Sequence, residues 1–147
     1  MKNLIKAWER LYPSALGVMA SVLASQLPRA VQADVADKLA NPILSILAIA
    51  VGFIAAALTI LLTAPDIKSI NRFKSVPDLY NRFVDYHWEA ISTGMASATL
   101  SLVVIIASKK LETWPQVALF YAWLLFTVWA FAAFFRVVHL LRGLLRL

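Results

Sequence analysis

Residues 41–63 read NPILSILAIAVGFIAAALTILLT, twenty-three positions without a charge. At about 1.5 Å per helical residue, such a stretch covers a hydrocarbon core of roughly 30 Å, so it is read as a membrane-crossing helix. One face is small: Ser45, Ala48, Gly52, Ala55, Ala56, Thr59 and Thr63 recur at steps of three and four. Ile43, Leu44, Ile46, Leu47, Ile49, Phe53, Ile54, Leu58 and Leu61 fill the rest of the circumference. In lipid, apolar burial does not drive helices together, and a stripe of small residues lets backbones approach and gain packing contacts. The spacing therefore predicts this helix at the packed centre of a bundle.

Composition agrees with a membrane setting. The chain has 147 residues, 61% of them hydrophobic and only 15% charged, and a mean hydropathy of +0.75. A soluble domain of this length carries more charge. With several long apolar runs, the expected class is all-α and polytopic, with four transmembrane helices and short amphipathic interfacial helices in one membrane domain over 1–147. The absence of cysteine excludes disulfides, thiol catalysis and Cys-based metal sites. The net charge of +6 reads as the excess of Lys and Arg found on the cytoplasmic side of membrane proteins.

Upstream, Met1 to Arg10 sets Lys2, Lys6 and Arg10 around Leu4, Ile5 and Trp8, the pattern of a short interfacial helix with a Trp anchor. Residues 11–27 are uncharged but only seventeen long. They form either a first span or a signal peptide with a basic start and a small-residue site ending at Ala24; they are taken here as a span. Residues 28–39, PRAVQADVADKL, read as a polar connection before the span at 42–63.

Downstream, residues 66–89 form the longest polar segment. Ile67, Ile70 and Phe73, then Leu79, Tyr80, Phe83 and Val84, predict two short amphipathic helices broken at Pro77. Residues 90–108 are the third span, with Gly94, Ser97, Ser101 and Ser108 on a small face. Residues 116–135 are the fourth, rich in Phe, Tyr and Trp. The tail 136–147 carries Arg136, His139, Arg142 and Arg146 as a basic stripe suited to the headgroup level.

Four spans place Lys2, Lys6, Arg10, Lys68, Arg72, Lys74, Arg82, Arg136, Arg142 and Arg146 on one side. Arg29, Lys38, Lys109 and Lys110 fall on the other, ten against four. Without a span at 11–27 the count is seven against seven. The positive-inside rule thus favours four spans with both termini and the 66–89 loop in the cytoplasm.

Chemistry-bearing motifs are scarce. His87 and His139 lie in separate segments without metalloprotease spacing, and the four glycines are scattered rather than forming a phosphate loop. Asp85, His87 and Glu89 cluster in sequence, but alternating residues on a helix point apart. No catalytic residue, metal site or cofactor is expected, and the protein is not expected to be an enzyme. Ser45, Gly52, Thr59, Thr63, Gly94, Ser97, Ser101 and Ser108 are candidates for helix packing or for lining an oligomeric pore. Lys68, Arg72, Lys74, Arg82, Arg136, His139, Arg142 and Arg146 are candidates for contacting anionic lipid headgroups. A nucleotide or nucleic-acid ligand is the alternative.

At SILAIAVGFIAAALTILLTAPDIKSINRFKS, residues 45–75, the chain resembles small four-span membrane effectors of bacterial and prophage antiviral systems, of the RexB-like phage-exclusion type. The resemblance covers the small-residue second span, the basic amphipathic stretch after it and the four-span layout. It implies a homo-oligomeric, membrane-depolarising effector of the bacterial inner membrane, acting in abortive infection and gated by a cytoplasmic sensor protein or anionic ligand. A holin-like phage membrane protein and a non-conducting scaffold or immunity subunit are the alternatives.

Overall fold

The computed structural model describes residues 2–63, 77–107 and 114–144, all in helices or in the turn between the first two. Helix α1 spans Lys2–Ala24, α2 Arg29–Thr63, α3 Pro77–Ala107 and α4 Trp114–Leu144. The expected all-α class is what the described residues adopt.

The helices are longer and fewer than the sequence pattern predicts. The interfacial helix and the first apolar stretch form one element, α1, which continues through a buried Pro13 and ends at Ala24. The polar connection at 28–39 is the start of α2 from Arg29 onward. Pro28 accepts the first bonds of α2 through its carbonyl from Val31 and Gln32. Residues 77–89 are the opening turns of α3 rather than a separate amphipathic helix. Pro77 stands at the first helical position, where its missing N–H costs nothing. The first of the two helices expected around Pro77 falls outside the described residues.

Chain direction alternates. α1 runs antiparallel to α4, with Tyr12 donating to the Ala132 carbonyl and Ser21 to the Tyr121 carbonyl. α3 and α4 form an antiparallel hairpin, and α2 packs mainly on α3. The lateral order is therefore α2, α3, α4, α1. α1 contacts chiefly α4, although only four residues separate it from α2. The start of α1, the end of α2, the start of α3 and the end of α4 all lie at one end of the bundle.

Two apolar clusters hold this array. Toward that end, Leu47, Ile54 and Leu58 of α2 meet Phe83, Ala90 and Ile91 of α3 and Ala130, Ala133, Phe134 and Val137 of α4. At the opposite end, Ala24, Ala36, Ala40, Val104, Phe120 and Trp123 pack together. A polar clasp closes that end. The Gln32 side-chain nitrogen sits 3.0 Å from the Ala24 carbonyl and 2.9 Å from that of Leu27, serving carbonyls left over where α1 stops.

α2, expected at the centre, lies at the edge of the array. Only 17% of its apolar window is buried inside the chain, against 39% for α4. Leu47, Ile54 and Leu58 make the main contacts of its apolar run; of the expected small stripe, Ala55 packs against the core, whereas Ser45, Ala48, Gly52, Ala56, Thr59 and Thr63 face outward. Branched aliphatic side chains fill the gap between α2 and α3, so the bundle has no need of the small face.

Among the described residues three helices, α2, α3 and α4, are long and apolar enough to cross a membrane. The apolar part of α1, Leu11–Ala24, extends about 21 Å, short of a roughly 30 Å core. Its outward face is nonetheless apolar, with Leu16, Val18, Met19, Val22 and Leu23 exposed, as are Ile49 and Phe53 of α2 and Leu102 and Ile106 of α3. Apolar surface on all sides is the pattern of a bundle bathed in hydrocarbon rather than water.

Candidate functional site

A half-buried carboxylate on α3 joins a cation and an indole of α4. Glu89 stands where the polar start of α3 gives way to the uncharged run beginning at Ala90. It shares a level with Leu11, where the apolar part of α1 begins, and with Arg136, where that of α4 ends. The antiparallel α3–α4 hairpin brings the last two together. Arg136 Nη2 donates to Glu89 Oε2 at 2.5 Å, and the Trp129 indole donates to Glu89 Oε1 at 3.0 Å. The Tyr86 ring covers the guanidinium, with Cζ 3.8 Å from the ring centroid.

The Arg136 side chain is 6% exposed and that of Glu89 22%. An ion pair this shielded is stable only because its charges are matched and hydrogen-bonded. Arg136, expected to reach headgroups as part of a basic stripe, is instead committed to the interior. His139 and Arg142, on the same stripe, are exposed. Arg146 and Lys68, Arg72 and Lys74 lie outside the described residues.

Because α1 touches chiefly α4, a groove opens between α1 and α3 with α4 as its floor. It encloses about 720 Å³ and is lined by Leu11 and Ser14 of α1, Trp129 of α4, and Arg82, Asp85, Tyr86, Trp88, Glu89 and Ser92 of α3. A neighbouring cleft of about 400 Å³ lies beside Tyr86 and Arg136, between Tyr12 and His139. Arg82, Asp85 and Glu89 sit three and four residues apart, so they project to the same side. His87 points away from them. It is fully buried, with its ring 3.9 Å from that of Phe83 and its Nδ1 2.7 Å from the Phe83 carbonyl. Among the described residues no group of His, Asp and Glu is arranged to hold a metal ion.

The small and hydroxyl candidates divide into two sets. On α3 they face inward. Ser97 and Thr127 lie 2.7 Å apart, and Ser101 accepts from the Trp123 indole at 2.8 Å while donating to the Ser97 carbonyl. A Cβ on Gly94 would stand 2.6 Å from Val51 and 2.8 Å from Phe134. These residues are packing elements, and they bond α3 to α4. On α2 the candidates face outward. Ser45, Thr59 and Thr63 are exposed and each donates to the carbonyl four residues before it, and a Cβ on Gly52 would meet nothing within 4 Å. Ser108 lies outside the described residues.

Reading the residues in order missed the pairing at Glu89 and the clasp at Gln32. Ser97 with Thr127, Ser101 with Trp123 and Glu89 with Arg136 all lie nearly equidistant in sequence from residue 112. Folding the two apolar runs into a hairpin about that point would have found all three. No protein-family model, curated protein or solved structure matches the chain.

Proposed function

We propose that the chain is a four-span protein of the bacterial plasma membrane that works as a homo-oligomeric, depolarising pore and is not an enzyme. In this reading both termini and the segment 66–89 face the cytoplasm, where a partner protein or anionic ligand gates the assembly, and the setting is defence against phage. The observation that carries it is the outward small face of α2, open at Gly52. Such a face on a helix in lipid allows close backbone approach by another helix, and a second copy supplies one. Hydroxyls at Ser45, Thr59 and Thr63 then lie at or beside the subunit contact.

A non-conducting membrane scaffold is the second reading. The use of Ser97, Ser101 and Thr127 in packing favours it, because it spends the inward hydroxyls of the described α3 on helix contacts rather than on a lumen.

Reconstitution separates the two. The full chain in nanodiscs is sized for subunit number, and the same protein in liposomes is tested for potassium-driven dye release, beside Gly52→Leu. Oligomers that conduct, with both properties lost in Gly52→Leu, support the pore. Protein without flux in the presence of the cytoplasmic partner supports the scaffold, and monomers without flux overturn the pore.

A further inference from the structure

The groove between α1 and α3 carries charges of both signs at the level where three apolar runs begin or end. We propose that it is a binding site for the headgroup of an aminophospholipid, a phosphoethanolamine ester, with the acyl chains lying along the outward faces of α1 and α3. The inference rests on the membrane reading but not on the pore.

Three observations converge on it. First, the depth is right. Glu89, Leu11 and Arg136 mark the polar–apolar boundary on three helices, and the groove lies at that boundary, open to the side because α1 and α3 flank α4. Second, the charges are arranged in a pair. Arg82, half-buried, and Asp85, exposed, both line the groove, and no ion pair engages either among the described residues. Their Cβ atoms, three positions apart on a helix, are about 5–6 Å from each other. From neighbouring Cβ atoms on one helix face, the long Arg82 side chain and the short Asp85 side chain can splay to bracket a phosphate and an ammonium joined by a two-carbon linker. The guanidinium takes the phosphate, and the ammonium donates to Asp85 and to the edge of Glu89. Third, the base of the groove is aromatic, with Trp129 held there by its bond to Glu89.

The same chemistry discriminates among lipids. The quaternary ammonium of phosphatidylcholine has no N–H to donate to Asp85. Phosphatidylglycerol has no cation at all, and its phosphate would approach two carboxylates. A lipid seated here would also fill the gap beside α1, the helix whose contacts lie chiefly with α4.

Native mass spectrometry of the full chain, released from mixed micelles holding equal phosphatidylethanolamine, phosphatidylcholine and phosphatidylglycerol, tests the site. The expected result is one retained phosphatidylethanolamine per chain, about tenfold over each competitor. Asp85→Asn should abolish the preference over phosphatidylglycerol, and Arg82→Gln should lower retention of every phospholipid. Ser14→Trp, which fills the groove from α1 without touching a charge, should eliminate the bound lipid, with circular dichroism confirming that the helices persist. Equal retention of the three lipids overturns the proposal, as does a preference that survives all three variants. Displacement by free phosphoethanolamine as efficient as that by the lipid overturns the assignment to a membrane lipid.

Discussion

Arg136 and Glu89 meet across the α3–α4 interface with their nitrogen and oxygen 2.5 Å apart, and the Tyr86 ring closes over the guanidinium. The pair fixes the register of the hairpin at one end, as Ser101 and Trp123 do at the other. Removing either partner strands the other's charge in a shielded site.

Arg136→Gln and Glu89→Gln are each expected to cost about 3 kcal/mol, because the loss of one member of a buried ion pair leaves an uncompensated charge. The double variant should lose clearly less than the two together, with a coupling of at least about 1 kcal/mol. Unfolding in mixed detergent micelles, followed by circular dichroism, measures all three. Strictly additive losses would mean that the two side chains act independently.

The glycines should respond in opposite ways. Gly17→Ala places a Cβ 2.6 Å from the Leu125 backbone carbonyl, so α1 must move away from α4. Gly94→Ala drives a methyl into Val51 and Phe134, an overpacking expected to cost about 1–3 kcal/mol. Gly52→Ala meets open space and should stabilise the isolated chain by up to about 1 kcal/mol through helix propensity. Hydrogen exchange would show faster exchange confined to α1 in Gly17→Ala. A loss of monomer stability in Gly52→Ala would contradict the outward placement of α2's small face.

The hydroxyls of α3 offer a matched pair. Ser101→Ala leaves the buried Trp123 indole N–H without its acceptor and should cost about 1–2 kcal/mol. Thr99 is exposed and bonds only to the Met95 carbonyl of its own helix, so Thr99→Ala should fall within about 0.5 kcal/mol of the parent. The same micellar unfolding assay reads both, and equal losses would mean that the inter-helix bond contributes nothing measurable.

Much of the fold was legible because apolar run length and helix geometry are local properties. The uncharged residues 42–63, 90–107 and 116–135 all lie in helices, whereas the first stretch, read to residue 27, ends as a helix at Ala24. Element ends were harder to see. Polar residues 29–39 and 77–89 continue the helices that follow them, because backbone hydrogen bonding does not stop where hydrophobicity does. The candidate site was visible only in pieces. Glu89, Trp129 and Arg136 each stand out along the chain, but as a span-end charge, an aromatic residue and a basic stripe.

The sequence by itself determined that the chain is helical and rich in long apolar runs, read as four spans where three helices prove long and apolar enough, and that small and hydroxyl residues fall on particular helical faces. Each depends on composition and on the 3.6-residue period, which every residue expresses without reference to distant ones. Only the tertiary structure decided which of those faces turn inward. Ser97 and Ser101 are consumed between α3 and α4 and Gly94 between α3 and both its neighbours, whereas Gly52 and Thr59 are left outside. Small stripes on two helices are chemically alike, and only the side chains that a neighbour brings opposite them, such as Val51, Phe134, Thr127 and Trp123, choose between them. The ion pair of Glu89 with Arg136 was decided in the same way, since two charges far apart in sequence become one buried pair only when an antiparallel hairpin sets them at the same level.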